Sequence, residues 1–314
     1  MEAAAVRRAE DGALSGSVPP TDDQTHVSNS DAPWDEFDAD AYWEKNYSTL
    51  RDDDEEILRR ITAYFAANPP AGERPGLHTR LWRRLTRRAA PPTALGLDVG
   101  PGTNLYPALA MLPYCRRITL WEYSATNVRW LRNELRSFRS TWDVFWGQAT
   151  GIRRSSGGDT RGLDPRPALA RRVDVRQASI FDLPKSRFDV GTMFFVAESL
   201  TSDRSEFERA TRAFVESLRP GAPFAAAFME GSVGYQVGAC HFPAVPVTIG
   251  QVKEFLTGLT PDLELHQVFS EKPLREGYHG TMILALGRAS GKPLETPPGT
   301  VVATHEDAAA AAAT

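Results

Sequence analysis

Residues Gly96 to Tyr106 read GLDVGPGTNLY. The apolar residues describe a buried strand that ends near Asp98. Gly100 and Gly102 mark a turn, and a helix opens around Tyr106. Glycine permits left-handed backbone and a close approach of the main chain to a ligand. Strand, glycine turn and helix in that order form the nucleotide site of open α/β sheets. The turn alone is weak evidence, because GPG is not the full GxGxxG pattern, so the reading depends on what flanks it.

Downstream, strands and helices alternate. CRRITLWE (115–122) reads as a second strand, and SATNVRWLRNELRS as a helix capped by Ser124, with Val128, Leu131 and Leu135 on one face. Residues 140–165, with GIRRSSGGDTRG, read as an irregular surface insertion. VDVRQAS is a third strand. FDVGTMFFVA is an almost wholly apolar fourth, as suits a parallel strand covered on both faces. RSEFERATRAFVESL is a helix, PFAAAFME a fifth strand and VTIGQVKEFLTGL a helix, while ELHQVFS and GTMILALGR close the sheet. Alternation of this kind predicts an α/β fold with a mostly parallel sheet.

Upstream, order is expected to begin near Trp34, with DEFDADAYWEKNY and then RDDDEEILRRITAYFAANPP. In the latter, the acids at 52–56 complement a helix dipole and Pro69 and Pro70 stop the helix. LHTRLWRRLTRRA places Arg80, Arg83, Arg84, Arg87 and Arg88 on one helical face. That stripe is either an anion or nucleic-acid contact or a solvated face, and without interleaved aromatics beyond Trp82 the solvated face is favoured. Residues 1–36 and 290–314 lack hydrophobic period and are expected to be a disordered leader and tail. Residues 37–289 are expected to be the folded domain, with a helical cap over 37–92 and the core over 93–289.

The 314-residue chain carries a formal charge of −4, which does not argue for nucleic acid or membrane. Its basic residues are 31 Arg and 5 Lys, the mark of a high-GC, bacterial genome. Cys115 and Cys240 form no CxxC pair, no apolar run approaches a membrane span, and the N-terminus lacks a signal core, so a cytoplasmic setting is expected.

The ligand is narrowed by Glu122, which ends the second strand about 24 residues past Asp98. An acid at this place accepts hydrogen bonds from ribose hydroxyls, and a carboxylate can serve both hydroxyls of a cis-diol. A pyrophosphate requires the complete fingerprint opening into a helix N-terminus. Here Pro101 removes an amide donor, Tyr106 occupies the first helical turn, and there is no P-loop lysine. A nucleoside without phosphate, such as S-adenosylmethionine, fits better.

The patterns DVGPGTNLY, LWEYSATN, RPGAPF and FMEGSVGYQVG resemble the class I methyltransferases, from about residue 37 to 288. More narrowly, FDADAYWEKNY (37–47) with the EYSATN box resembles the nicotinamide, phenylethanolamine and indolethylamine N-methyltransferase family. The resemblance implies a Rossmann-like, seven-stranded, mostly parallel sheet with an N-terminal helical lid. It implies that Tyr42 and Tyr47 cover the methionine end of the cofactor. Gly100, Gly102 and Thr103, next to Asp98, would frame the aminoacyl end, and Tyr106 would contact its carboxylate. Glu122 would hold the ribose with help from Asn127, Tyr123 would pack on the adenine, and Ser179 and Ile180 would lie at the adenine edge. The family often has Asp at Glu122 and usually has Asp at Ser179, which puts a carboxylate contact to the adenine amine in doubt.

The same resemblance places Glu198 and Glu230 as acids near an acceptor amine, and Tyr235 on the acceptor ring. Tyr278 and His279 precede the last strand, from where they could line the same pocket. A protonated amine cannot attack, and a carboxylate can bind it and take its proton. No His or Cys has metal-ligand spacing. The expected protein is a monomeric S-adenosylmethionine-dependent methyltransferase acting on a small-molecule acceptor, with an amine nitrogen favoured. The rival expectation is a methyltransferase-shaped regulatory protein that acts through protein partners. A nucleic-acid methyltransferase rests only on the Arg stripe, and no NPPY-like box supports it.

Overall fold

A computed structural model describes residues 27–71, 92–157, 160, 162–271 and 280–291. Two helices open the fold. Helix α1 (Ala39–Tyr47) is capped by the Asp38 carboxylate, which accepts the Ala41 N–H at 3.0 Å. Helix α2 (Asp52–Ala67) starts on its acidic turn and presents Ile57, Leu58, Ile61 and Phe65 fully buried. The core then alternates as expected: β1 (Ala94–Val99), α3 (Tyr106–Met111), β2 (Cys115–Glu122) and α4 (Ala125–Ser137), the last capped by Ser124. After α5 (Thr141–Ser155) and α6 (Pro165–Arg172) come β3 (Val173–Gln177), β4 (Val190–Phe194), α7 (Arg204–Ser217) and β5 (Pro223–Met229). A hairpin of β6 (Gly234–Val237) and β7 (Cys240–Pro243) precedes α8 (Ile249–Thr257), β8 (Glu264–Phe269) and β9 (Thr281–Arg288).

The seven-stranded sheet runs in the order β3-β2-β1-β4-β5-β9-β8. β1 to β5 pair in parallel, and β9 is antiparallel to both of its neighbours. The architecture is mixed α/β and Rossmann-like. Alternation along β5 shows the two faces: Ala225, Ala227 and Met229 join one core, and Phe224, Ala226 and Phe228 the other. The first core holds the cap residues Ile57 and Phe65 with Trp142 of α5, and the second holds Phe207 and Phe214 of α7 with Leu256 of α8. The strand order switches side between β1 and β4, so a crevice opens at the carboxyl ends of these parallel strands.

Two sequence expectations are corrected. Residues 141–155 are a helix, not an irregular insertion. Trp142 and Phe145 on it are fully buried against α2 and α3, with Ala149 one turn further on. The chain also joins the fold before residue 37. The Val27 N–H donates to Ser202 Oγ at 2.8 Å and the Asn29 N–H to Glu206 at 3.0 Å. The Trp34 carbonyl accepts the Ser124 hydroxyl at 2.7 Å. These are polar ties to two separate loops and a helix, which leave no hydrophobic period in the sequence. The Arg80–Arg88 stripe lies outside the described residues, as do residues 1–26 and 292–314.

Candidate active site

The crevice is built on the glycine turn. Gly100 and Gly102 both have φ of +56°, backbone that an L side chain adopts only with strain. A Cβ on Gly100 would stand 2.7 Å from the Val196 side chain, so close approach also demands glycine here. The turn is fastened to β2 by the Gly100 N–H, which donates to the Trp121 carbonyl at 2.8 Å. It is fastened again by the Gly102 N–H, which donates to Glu122 Oε2 at 3.0 Å.

Glu122 is the acid of this crevice. Its Oε1 accepts the Ser124 N–H at 2.9 Å, so each oxygen holds one backbone amide and keeps acceptor capacity to spare. Burial pushes its pKa up, and the amides of Ser124 and Gly102 and the side chain of Asn127 oppose that shift. Asn127 is buried beside it, and its Oδ1 has no hydrogen-bond partner among the described residues. A carboxylate with lone pairs to spare and an orphaned amide oxygen together make a cradle for hydroxyl donors.

Around this cradle a cavity of about 100 Å³ is lined by Tyr123, Ile180, Tyr42, Tyr47 and Tyr235, all expected from the sequence. The structure adds Asn29, Trp34 and Phe37 from the N-terminal segment, Trp121 and Ala178 beside the expected adenine edge, and Phe194 to Val196, Ser199 and Leu200 after β4. Trp34 stacks on Phe242 at 5.0 Å, which in turn stacks on Tyr235 at 5.3 Å, so the N-terminal segment and the β6–β7 hairpin close over the crevice together. Phe195 has φ of +59°, a strained position for a bulky residue that sits where both walls meet. A second cavity, of about 480 Å³, adjoins the first and shares Tyr42, Tyr47, Phe195 and Tyr235 with it.

Several expected site residues stand elsewhere. Asp98 is buried below the turn, where its Oδ1 accepts the Thr192 hydroxyl at 2.8 Å. Thr103 is fully buried and lines neither cavity. Tyr106 is also fully buried, stacked on Phe145 at 5.7 Å, and does not reach the cradle. Ser179 caps the turn at Ile180–Asp182, and its carbonyl accepts the Trp121 indole N–H at 2.8 Å, so its neighbours Ala178 and Ile180 face the cavity instead.

The two acids expected at the acceptor make contacts outside the two cavities. Glu198 is fully buried. It accepts the Met229 N–H at 3.0 Å, and its carbonyl accepts the Val245 N–H at 2.7 Å, tying three segments together. Glu230 accepts the Ile249 N–H at the start of α8 at 3.1 Å and the Gln267 amide at 2.9 Å. Neither carboxylate lines either of these two cavities. Tyr278 and His279 lie outside the described residues.

Burial, with the Glu122 charge adding to it, pushes the Asp98 pKa up to about 8, and the Thr192 hydrogen bond only partly offsets this. The folded protein therefore favours neutral Asp98, against an ordinary value of 3.8. That contribution to stability is complete below the ordinary value and is lost as pH rises toward about 8. Asp98→Asn imitates the neutral acid. It is expected to match the wild type in urea denaturation near pH 4 and to exceed it by about 5 kcal/mol at pH 8. Equal pH slopes for the two proteins would contradict the assignment.

No protein-family model matches the chain, and no curated protein matches it in sequence. Among solved structures it is similar to the N-methyltransferase NodS from Bradyrhizobium japonicum WM9 in complex with S-adenosyl-L-homocysteine. The two share 13% identity over 80% of this chain and 92% of that one, with a TM-score of 0.45. The 1,6-didemethyltoxoflavin-N1-methyltransferase of Burkholderia thailandensis matches at 16% identity over 75% of this chain and 88% of that one, TM-score 0.39. The [4+2]-cyclase SpnF matches at 17% identity over 76% of this chain and 94% of that one, TM-score 0.39. Among the described residues no helix is long and apolar enough to cross a membrane, and no group of His, Cys, Asp and Glu could hold a metal.

Proposed function

We propose that the protein is an S-adenosylmethionine-dependent methyltransferase that acts on a small-molecule acceptor, with an amine nitrogen as the methylated atom. The observation that carries this reading is the Glu122–Asn127 cradle beside a glycine turn at the sheet's switch point. A ribose diol supplies the two donors that the cradle can accept. Tyr123, Ala178 and Ile180 offer a flat apolar slot for the adenine, and Gly100 to Gly102 give a floor on which the aminoacyl end can rest. Tyr42 and Tyr47 on α1 would cover it, which supports the finer kinship with the nicotinamide and phenylethanolamine N-methyltransferases.

The donor supplies a methyl group already activated on a sulfonium, so the protein's part is placement and exclusion of water. The aromatic cover of Trp34, Phe37, Tyr42 and Tyr47 does the excluding. The cavity of about 100 Å³ is smaller than a nucleoside ligand needs, so this cover moves outward on binding.

Titration calorimetry with S-adenosylhomocysteine tests the reading. Binding in roughly the micromolar range is expected, as for enzyme substrates. No heat at ligand concentrations of about 1 mM would overturn it. Transfer of labelled methyl from S-adenosylmethionine to a panel of amines and phenols then tests nitrogen against oxygen.

A further inference from the structure

Glu198 and Glu230 line neither cavity, whereas the second cavity contains another acid. Asp54 belongs to the acidic run that opens α2, and its neighbours Asp52 and Asp53 have other roles. Asp52 is exposed and suits the helix dipole, and Asp53 pairs with Arg51 at 3.0 Å. Asp53 and Asp54 both turn inward, and of the two Asp54 lines the second cavity. It is 3% exposed, and its side chain lines the cavity of about 480 Å³ behind Tyr42 and Tyr47. The hydroxyl of the fully buried Tyr106 faces it and favours its ionised form, yet that hydroxyl closes no regular hydrogen bond.

We propose that this cavity is the acceptor chamber and that Asp54 binds the acceptor's ammonium and takes the proton that methyl transfer releases. The proposal rests on the methyltransferase reading and assigns the acid that reading lacks. The wall shared with the cofactor crevice is Tyr42, Tyr47, Phe195 and Tyr235, so an acceptor in the chamber lies against the end of the crevice that the two tyrosines cover. The bound ammonium first gives one proton to a carboxylate oxygen of Asp54, and the lone pair this frees on nitrogen forms the new N–C bond. The donor's C–S bond breaks with its electron pair left on sulfur. The product leaves as the methylated ammonium, and the proton held by Asp54 passes to solvent through the chamber.

The surroundings suit a carboxyl that must both hold and release a proton near neutral pH. Burial raises the Asp54 pKa to about 8. The Asp53 charge adds to the rise, and Tyr106 and Arg51 oppose it. Lys45 and His241 stand on the chamber wall, and Tyr47 lies between Asp54 and the crevice. A cationic amine entering such a site meets a carboxyl that ionises to pair with it.

The test separates proton-bearing from protonless nucleophiles. Asp54→Asn is compared with wild type in methylation of 2-phenylethylamine and of 3-phenylpyridine, whose ring nitrogen has no proton to lose. The expected result is a loss of about 100-fold or more in kcat/KM for the amine. The pyridine should change less than about 3-fold, within the spread of a single lost contact. Binding of S-adenosylhomocysteine should be unchanged by calorimetry. Binding of 2-phenylethylammonium to that complex should weaken at least tenfold, a readout independent of turnover.

An equal loss for amine and pyridine would reduce Asp54 to a structural role and overturn the proposal. Weakened S-adenosylhomocysteine binding would place Asp54 at the cofactor's own ammonium and overturn it equally. If the wild type binds S-adenosylhomocysteine but its complex binds neither probe, the chamber assignment fails while the cofactor reading stands. Val233→Trp, at an exposed position on the chamber rim, keeps the test open should Asp54→Asn fold poorly. It is expected to weaken amine binding and spare the cofactor, and unchanged amine binding would overturn the proposal.

Discussion

Glu122→Ala is expected to weaken S-adenosylhomocysteine binding by at least about 100-fold. Two charge-assisted hydrogen bonds to a diol contribute roughly 1.5–3 kcal/mol each, and 1.4 kcal/mol is a factor of ten. The same change frees the Gly102 and Ser124 amides that Glu122 now accepts, so the turn loses its fastening along with its ligand. Glu122→Gln does not rescue it. Each carboxylate oxygen faces a backbone N–H, so the amide nitrogen of Gln must point a donor at a donor. Glu122→Asp keeps two acceptors on a shorter arm and should lose least, roughly tenfold, the cost of about one stretched bond. The ranking Glu, Asp, Gln, Ala by calorimetry, with the thermal midpoint followed in parallel, checks the assignment. Equal binding by wild type and Glu122→Ala would remove the cradle from the site.

The cradle was legible in the sequence because each part of it is tied to a local rule. Glu122, Ser124 and Asn127 are neighbours in the chain, and Gly102 lies 20 residues before Glu122, the spacing that a strand–turn–helix–strand unit sets. The strands were legible for a similar reason, being apolar runs closed by Gly, Pro or acid. Direction of a side chain at a strand end is not local. Glu198 and Glu230 stand at the expected sheet edge, yet what they bind comes from Met229 and Val245 on one side and from Ile249 and Gln267 on the other. Asp54 was hidden by its company. In a run of five acids the dipole explains all of them equally, and only the packing of α2 against α3 and α5 decides that Asp53 and Asp54 turn inward. Residues 27–33 were hidden because hydrogen bonds to Ser202 and Glu206, rather than apolar period, hold them.

The helix misread as an insertion carries the largest expected loss of stability. Trp142 is fully buried, its indole N–H donates to Glu134 at 2.9 Å, and its ring lies 5.2 Å from Phe145 and 6.4 Å from Tyr47. Trp142→Ala removes the largest side chain of the cap-side core and takes a donor from a buried carboxylate. Truncations of this kind cost about 3–5 kcal/mol. Arg139, 2.9 Å from Glu134, keeps that carboxylate from being stranded, so the upper end of the range is not exceeded. Trp142→Phe keeps most of the volume and loses the hydrogen bond, for about 1–2 kcal/mol. Urea denaturation of the three proteins measures both. Because Trp142 also backs Tyr47, which lines both cavities, the Ala variant should loosen the cover as well as the core. Its S-adenosylhomocysteine affinity is expected to fall by severalfold even at temperatures where it remains folded. A loss under about 1 kcal/mol would mean that α5 packs on the fold without being part of its core.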